Sequence, residues 1–289
     1  MKEGSADKVA KKIFHEQTEC KFGTDGKRVC SPKSIVNKMA DFAEAKGVSV
    51  KKDTPEQVVK KVKNLLNCNA ESCILKRKDF VSFAKLHNFE QILNRFFKPE
   101  GPSKETGLLS NFNIDEVLDQ LADKFTDRKF LHIPFQMRDF EQIGSELSRV
   151  DLAKEFASGT KTFGVVLNTD YSSGGGIHWF CLFGENYDDK IMLEYFNSSG
   201  NAPLPEVQAW LQKNKHYLEK KMKKPVVIHE TTGRQLQYDN HSCGVYCLCY
   251  IWLRLEGNPP QWFNSENFND RLMLKARKNL FRGGKEKRK

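Results

Sequence analysis

The feature that most constrains the fold is an apolar run at residues 245–253, which follows the polar stretch 237–244. A segment that is apolar on nearly every side predicts a helix buried on all sides. Cys243 lies where the polar loop meets this helix, and the backbone N–H groups and dipole of a helix N-terminus favour a thiolate. The alternative is a structural cysteine, since free cysteines are among the most buried residues. Cys243 is therefore a candidate nucleophile that needs a base, an orienting group and an oxyanion donor elsewhere.

The chain has 289 residues, enough for one large domain or for a medium domain with a smaller one. It contains no run of about 18 apolar residues and no signal-peptide pattern, so we expect neither a membrane span nor secretion. We therefore expect the protein to be cytosolic. The 8 cysteines are then expected to be mostly reduced.

Positive charge is concentrated at the two ends of the chain. Residues 1–105 carry 22 Lys and Arg against 14 Asp and Glu, and residues 283–289 carry four against one. Such a surface could bind nucleic acid or an acidic partner. A solvated, lysine-rich helical face is the alternative, because acidic residues are interleaved and aromatic stacking partners are few.

Three segments are predicted from this pattern. Residues 1–105 form a helical basic arm, in which apolar residues recur at helical spacing, as at Val58, Val59 and Val62. The Pro- and Gly-containing stretch 98–103 is a linker. Residues 106–282 form the main domain and 283–289 a basic tail. The arm contains four cysteines that match no paired zinc pattern, so free or core thiols are expected: Cys20, Cys30, Cys68 and Cys73.

The main domain is predicted to be α+β. Asn113 is a candidate N-cap, with Glu116 three residues later and an apolar stripe following, and a second helix is expected between Met137 and Phe156. Short segments rich in Val, Ile, Phe, Trp and Tyr then predict strands apolar on both faces, at 162–167, 178–183, 190–196 and 225–229. Over residues 205–222, apolar residues again recur at helical spacing, which predicts another helix. Strands between helices indicate a sheet covered on both sides.

His178 is the candidate base. If 178–183 and 190–197 pair as an antiparallel hairpin, His178 lies beside Asn197 on the same face. Asn197 can then accept a hydrogen bond from one ring nitrogen and leave the other for Cys243. A turn-forming role is the alternative for Asn197, because Ser198-Ser199-Gly200 follows it.

Gln237 is the candidate oxyanion donor. Its side-chain N–H₂, together with the backbone N–H of Cys243, could stabilise a developing negative charge. A Gln in a polar loop does not by itself indicate an oxyanion donor.

The order His178-Trp179, Asn197, Gln237, Cys243-Gly244 resembles the catalytic order of the adenovirus-protease and SUMO-protease clan. Residues 112–118 are similar to that clan's Trp-Leu-Asn-Asp segment. Three further segments resemble the polyprotein-processing proteases of African swine fever virus and other large DNA viruses: 107–116, 166–170 and 194–198.

The resemblance implies a papain-like, circularly permuted α+β fold, with a central sheet flanked by helices and a helical N-terminal arm. It implies a cysteine endopeptidase that needs no metal or cofactor and cuts a viral structural polyprotein after Gly-Gly during virion maturation. The expected locations are assembly sites in the host cytoplasm and the virion. Trp179, Asp115 and Asn113 would contact substrate, although Trp179 is equally well explained as a core aromatic.

The chain departs from cellular members of the clan in having Asn rather than Asp at position 197, which bears on the pKa of His178. Three other functions stay open: a SUMO- or ubiquitin-like isopeptidase, an acyltransferase with the same side chains, and a nucleic-acid-binding virion protein that uses the basic arm. In the tail, Gly283-Gly284 precedes a basic run, so one interpretation is that the chain is cleaved after Gly284. A solubilising or nuclear-targeting tail is the other.

Overall fold

The computed structural model describes residues 18–24, 26–104, 106–264 and 268–283, which divide into two compact units. One unit contains the described residues of Glu105–Arg277. The other contains those of Phe14–Lys104 and of Lys278–Lys289. The proposed trimming point after Gly284 lies outside the described residues.

The unit that contains the described residues of the arm is built from helices. In one of its helices, Thr54 accepts a hydrogen bond from the Gln57 N–H at the first turn, and Val58, Val59 and Val62 are buried on one face. The helices of this unit are α1 (Lys33–Ala45), α2 (Pro55–Leu65), α3 (Glu71–Ile74), α4 (Lys78–Phe83) and α5 (Phe89–Phe96).

The four arm cysteines form two disulfides, Cys20–Cys30 and Cys68–Cys73. This corrects the expectation that they are free or core thiols. The Cα atoms within each pair lie 4.8 Å and 5.6 Å apart, a separation that a disulfide can bridge. The expectation of reduced thiols rested on the cellular compartment, which says nothing about which sulfur atoms the fold brings together.

The other unit is built on one six-stranded mixed sheet with the order β1-β3-β4-β5-β6, and β2 also pairs with β3. Strands β3, β4 and β5 are antiparallel neighbours, whereas β1 and β2 run parallel to β3 and β6 runs parallel to β5. The sequence predicts the four longer strands. It misses β1 and β2, which are three and two residues long and too short to show alternation. The strands are β1 (Phe130–His132), β2 (Gln136–Met137), β3 (Thr162–Asn168), β4 (Trp179–Asn186), β5 (Ile191–Phe196) and β6 (Val226–Thr231).

Helices cover both faces of this sheet, as expected for strands that are apolar on both sides. Phe163 on β3 packs in one cluster with Trp210, whereas the adjacent Gly164 lies against Ile251 on the opposite face. Successive residues of a strand point to opposite faces, so the helices that carry Trp210 and Ile251 lie on opposite sides. The remaining helices are α6 (Asn111–Lys124), α7 (Glu146–Arg149), α8 (Leu152–Ala157), α9 (Pro205–Met222), α10 (Cys243–Leu255) and α11 (Asp270–Leu280), with 3₁₀ turns at Thr126–Arg128 and Pro260–Asn264.

Two predicted helix boundaries are wrong. Helix α6 begins at Asn111, where Ser110 is the N-cap and Asn113 is the third helical residue that completes a capping box with it. Both residue types favour an N-cap, and the sequence does not reveal which one takes the position. The single helix expected between residues 137 and 156 is two short helices, because Asp151 accepts a hydrogen bond from the Lys154 N–H and starts α8.

All 13 residues of α10 are buried, as the apolar run predicts. Near its end, the buried Arg254 guanidinium donates hydrogen bonds to Glu194 on β5 and to Glu185 on β4, at 2.7–2.9 Å. The Tyr250 hydroxyl donates to Glu194 at 2.6 Å. The helix is therefore fixed to two adjacent strands by charged groups that offset one another's desolvation.

Within the described residues, no helix combines the length and the apolar character needed to cross a membrane.

The buried ion network predicts a large stability effect. Glu194→Gln removes the charge that faces Arg254 in a dry environment, so we expect urea denaturation to show a loss of about 3 kcal/mol in the free energy of unfolding. The control is Glu206→Gln, whose ion pair with Arg138 is partly exposed and should contribute less than about 1 kcal/mol. Equal losses from the two variants would contradict the importance of the network.

Candidate active site

Cys243 is the first residue of α10 and is buried. The first backbone N–H groups of a helix have no intrahelical acceptor, so those of Cys243 and Gly244 are available at the helix end. The backbone N–H of Trp179 also donates a hydrogen bond to Cys243 Sγ. The sulfur is thus in contact with the residue that follows His178.

Burial raises the pKa of the Cys243 thiol to about 11. The hydrogen bonds from the Trp179 and Gly244 N–H groups lower it by less, and the nearby Cys247 raises it further. The helix N-terminus was expected to favour the thiolate, but desolvation of the charged form outweighs it. At neutral pH the free protein therefore holds a thiol, and a base must take its proton.

The predicted hairpin is present. β4 and β5 pair antiparallel from Cys181 opposite Phe196 to Asn186 opposite Ile191. This register brings His178 Nε2 to 2.8 Å from Asn197 Oδ1. The two side chains that the sequence placed together are in direct hydrogen-bond contact.

The surroundings of Asn197 determine the imidazole tautomer. Asn197 Oδ1 also accepts hydrogen bonds from the Ser199 N–H and hydroxyl, and its Nδ2 donates to the Tyr195 hydroxyl at 2.9 Å. A backbone N–H can only donate, so the atom that faces His178 is the amide oxygen. His178 Nε2 must then carry the proton, which leaves Nδ1 with a free lone pair.

Burial lowers the pKa of His178, and the hydrogen bond to Asn197 raises it by less. The imidazole is therefore neutral at neutral pH. Because Nδ1 is unprotonated in this tautomer, His178 can accept a proton from a neighbouring thiol.

Gln237 is buried and joins the end of β5 to the loop before α10. Its Oε1 accepts a hydrogen bond from the Ser198 hydroxyl at 2.7 Å, and its Nε2 donates to Asp239 O at 2.9 Å and to Asp239 Oδ1 at 3.2 Å. The amide that sequence reasoning assigned to an oxyanion therefore contacts Asp239 in this structure.

Asp239 organises the loop at residues 237–242, and sequence reasoning missed this role. Its carboxylate accepts hydrogen bonds from the His241 N–H, the Ser242 N–H and the Ser242 hydroxyl, at 2.6–3.0 Å. Burial raises the pKa of Asp239, but these hydrogen bonds lower it more. An Asp followed by backbone donors two and three residues later is an Asx-type turn, which is a signal that the sequence contains.

The helix end is enclosed by two side chains. A Cβ at Gly244 would lie 3.1 Å from Leu109 and 3.4 Å from Trp179. The Trp179 ring also packs edge-to-face against Phe135. Sequence reasoning identified Trp179 but not Leu109 or Phe135, since nothing in their spacing relates them to Cys243.

Asp115 and Asn113 have local partners. Asp115 Oδ1 accepts a hydrogen bond from the Phe135 N–H at 2.9 Å and lies 3.2 Å from His132 Nε2. Asp115 therefore holds Phe135, which in turn packs on Trp179. The Asn113 side chain is part of the α6 capping box.

Within the described ranges, no group of three or more His, Cys, Asp and Glu side chains is arranged to hold a metal ion.

The chain is similar to known proteases. A cysteine protease of African swine fever virus is 34% identical over 295 residues, covering 95% of this chain and 98% of that protein. A relative from another isolate, with the same identity and coverage, is named a SUMO-1 cysteine protease. No family model matches the chain.

The fold is similar to that of a solved structure. The crystal structure of the African swine fever virus protease has a TM-score of 0.77 and is 32% identical, covering 92% of this chain and 96% of that one. This similarity confirms the predicted α+β fold with a central sheet flanked by helices.

The raised pKa of the Cys243 thiol predicts how alkylation depends on pH. Labelling of Cys243 by iodoacetamide should accelerate steadily as pH rises from 6 towards the thiol pKa of about 11, because the thiolate is the reactive form. Mass spectrometry of the native protein should find Cys243 labelled before the buried Cys181, Cys247 and Cys249. A rate that is already at its maximum at pH 6 would indicate a preformed ion pair instead.

Proposed function

This chain belongs to the family of viral cysteine proteases that includes the African swine fever virus enzyme, and we propose that it cleaves a viral structural polyprotein after Gly-Gly, with Cys243 as nucleophile. The observation that carries the proposal is the contact of His178 Nε2 with Asn197 Oδ1, in a protein whose Cys243 sulfur accepts the Trp179 N–H. These contacts support a site in which a base, its orienting group and a thiol act together at the start of one buried helix.

In the proposed reaction, His178 Nδ1 takes the thiol proton while Cys243 Sγ attacks the substrate carbonyl carbon. The tetrahedral intermediate collapses by breaking the C–N bond, and His178 gives its proton to the leaving amine. A water molecule, deprotonated by His178, then attacks the thioester and releases the acid product with regeneration of the thiol.

Asn197 orients the imidazole without adding charge. Its amide is held by Tyr195 and Ser199, so its oxygen is fixed on His178 Nε2. A neutral orienting group stabilises the imidazolium less than a carboxylate would, which is consistent with the lowered pKa of His178.

The oxyanion of the intermediate would accept hydrogen bonds from the Cys243 backbone N–H and from Gln237 Nε2. A donor of this kind is worth on the order of 3 kcal/mol in other proteases. Gln237 Nε2 would exchange its longer contact, 3.2 Å to Asp239 Oδ1, for the oxyanion.

The preference for Gly-Gly is supported by the narrow surroundings of the helix end. Leu109 and Trp179 approach Gly244 so closely that even one added methyl group there would press on them. A substrate strand that passes such walls to reach Cys243 is favoured when it has no side chains at the cleavage point.

A polypeptide substrate is also supported by exposed apolar side chains near the site. Within the described ranges, the four most exposed large hydrophobic residues are between 69% and 78% exposed: Leu108, Phe112, Ile177 and Tyr238. In the sequence they are adjacent to Leu109, Asn113, His178 and Gln237, respectively. Exposed apolar side chains can serve as contacts for a protein partner.

The family resemblance supports the finer biological setting, with cleavage during virion maturation at host-cytoplasmic assembly sites and in the virion. Docking of nucleic acid or an acidic partner on the basic arm is part of the same proposal. Because such docking would be electrostatic, DNA binding by the full chain should weaken steeply with salt and survive Cys243→Ala.

A second candidate is an isopeptidase of the SUMO-protease type, because relatives carry the name SUMO-1 cysteine protease. The two functions are distinguished by substrate. Cleavage of SUMO fused at its C-terminal Gly-Gly, without cleavage of short Gly-Gly peptides, would favour the isopeptidase.

Cleavage of a Gly-Gly-Xaa peptide series should be abolished by Cys243→Ala, since the replacement removes the nucleophile while filling nearly the same space. The matched series has Ala-Ala in place of Gly-Gly and should be cleaved at least about 10-fold more slowly, given the typical energetic effect of a misfitting methyl group. Peptidase activity in Cys243→Ala, or equal rates on the two series, would contradict the proposal.

Replacing Asn197 by Asp should move the acid limb of the kcat/KM profile. Wild type needs neutral His178, whose pKa is lowered by burial, so its activity should persist into mildly acidic pH. A carboxylate beside Nε2 stabilises the imidazolium and raises the pKa of His178, so the variant should lose activity at a higher pH than wild type. An unchanged limb would show that His178 is not the titrating base.

A further inference from the structure

Helix α11 contacts the loop that precedes Cys243 through two side chains on the same helical face, Asp270 and Arg277, which lie about two turns apart. We propose that Asp270 and Arg277 are positioning residues for the reaction of Cys243, acting as a clamp that holds the loop at residues 237–242. This inference rests on the proposed role of Cys243. Their hydrogen bonds go to backbone groups of the loop and of Gly107 and to the Tyr246 hydroxyl, so we expect both to act through the segments that lead to Cys243.

Asp270 holds the start of the loop. Its Oδ2 accepts hydrogen bonds from two consecutive backbone donors, the Tyr238 N–H at 2.9 Å and the Asp239 N–H at 3.0 Å. Its Oδ1 lies 2.9 Å from the hydroxyl of Tyr246, which is three residues past Cys243 in α10. One carboxylate therefore links the loop to the helix that carries the nucleophile.

Arg277 holds the end of the loop, two turns further along α11. Its buried guanidinium donates from Nη2 to His241 O at 2.7 Å and from Nη1 to Gly107 O. His241 is two residues before Cys243, and Gly107 is two residues before Leu109, the side chain that packs on Gly244. A single cation thus sets the positions of two segments that border the helix end.

The contacts within the loop do not supply this positioning. Asp239 bonds to His241 and Ser242 and so fixes the shape of the loop. Asp270 and Arg277 come from another helix and fix where that shape lies relative to α10. Misplacing a reacting group by about 1 Å can cost on the order of 10²-fold in rate. Substrate affinity should change less, because Asp270 and Arg277 bond to backbone groups of Tyr238, Asp239, His241 and Gly107 rather than to the exposed side chains that would contact substrate.

The test compares Arg277→Met, Arg277→Lys and Asp270→Ala with wild type in the full chain, and uses Lys275→Met as the matched control. Lys275 is exposed on the same helix, so its replacement changes charge without touching the loop. We expect Arg277→Met and Asp270→Ala to lower kcat on a Gly-Gly peptide by about 10-fold to 100-fold, with KM changed less than about threefold. Arg277→Lys should recover part of kcat, because an ammonium group can still donate to one of the two carbonyl oxygens.

Iodoacetamide labelling provides an independent readout that needs no substrate. A displaced loop changes the N–H groups around the sulfur, so the labelling rate of Cys243 at fixed pH should differ from wild type in Arg277→Met but not in Lys275→Met. If wild type does not cleave the peptide, the proposed function fails while labelling still tests the clamp.

Two results would overturn the clamp. One is wild-type kcat and labelling rate in Arg277→Met and Asp270→Ala. The other is a loss of activity that comes with labelling of the buried Cys181, Cys247 and Cys249, since this would show general loss of the fold rather than displacement of the loop.

Discussion

Complete burial of α10 is the constraint on which the rest of the structure depends. When a helix is buried in the core, the polar groups at its two ends are buried as well. Each of these groups needs a partner there or must stay uncharged. At the end of the helix, Arg254 requires the carboxylates of Glu194 and Glu185. At the start, Cys243 becomes a thiol of raised pKa. The same burial that stabilises the fold therefore makes the sulfur dependent on a base.

The β4–β5 hairpin meets that requirement. Its register places His178 against Asn197, and the hydrogen bonds around Asn197 decide which ring nitrogen carries the proton. Burial lowers the pKa of His178 by more than the hydrogen bond to Asn197 raises it, so the imidazole, like the Cys243 thiol, is uncharged in the free protein. In the proposed reaction, this pair carries no buried charges until proton transfer from sulfur to imidazole creates both charges together.

The surroundings of the sulfur come from segments far apart in the chain. Leu109 precedes α6, Trp179 starts β4, and the loop at 237–242 is contacted by Asp270 and Arg277 of α11. Leu109, Asp270 and Arg277 have no spacing in the sequence that relates them to Cys243. The sequence led to His178, Asn197 and Gln237 as candidates because a hairpin and a short loop connect residues by local rules, and because the order of residue types resembles a family.

The sequence by itself determined the buried helix, the four longer strands, the hairpin and the pairing of His178 with Asn197. These depend on apolar periodicity and on antiparallel register, which are properties of neighbouring residues. Only the tertiary structure decided the disulfide pairs of the arm, the raised pKa of Cys243, the contact of Gln237 with Asp239, and the clamp. Each of these depends on desolvation or on distances between remote segments, and a linear pattern of residue types contains neither quantity.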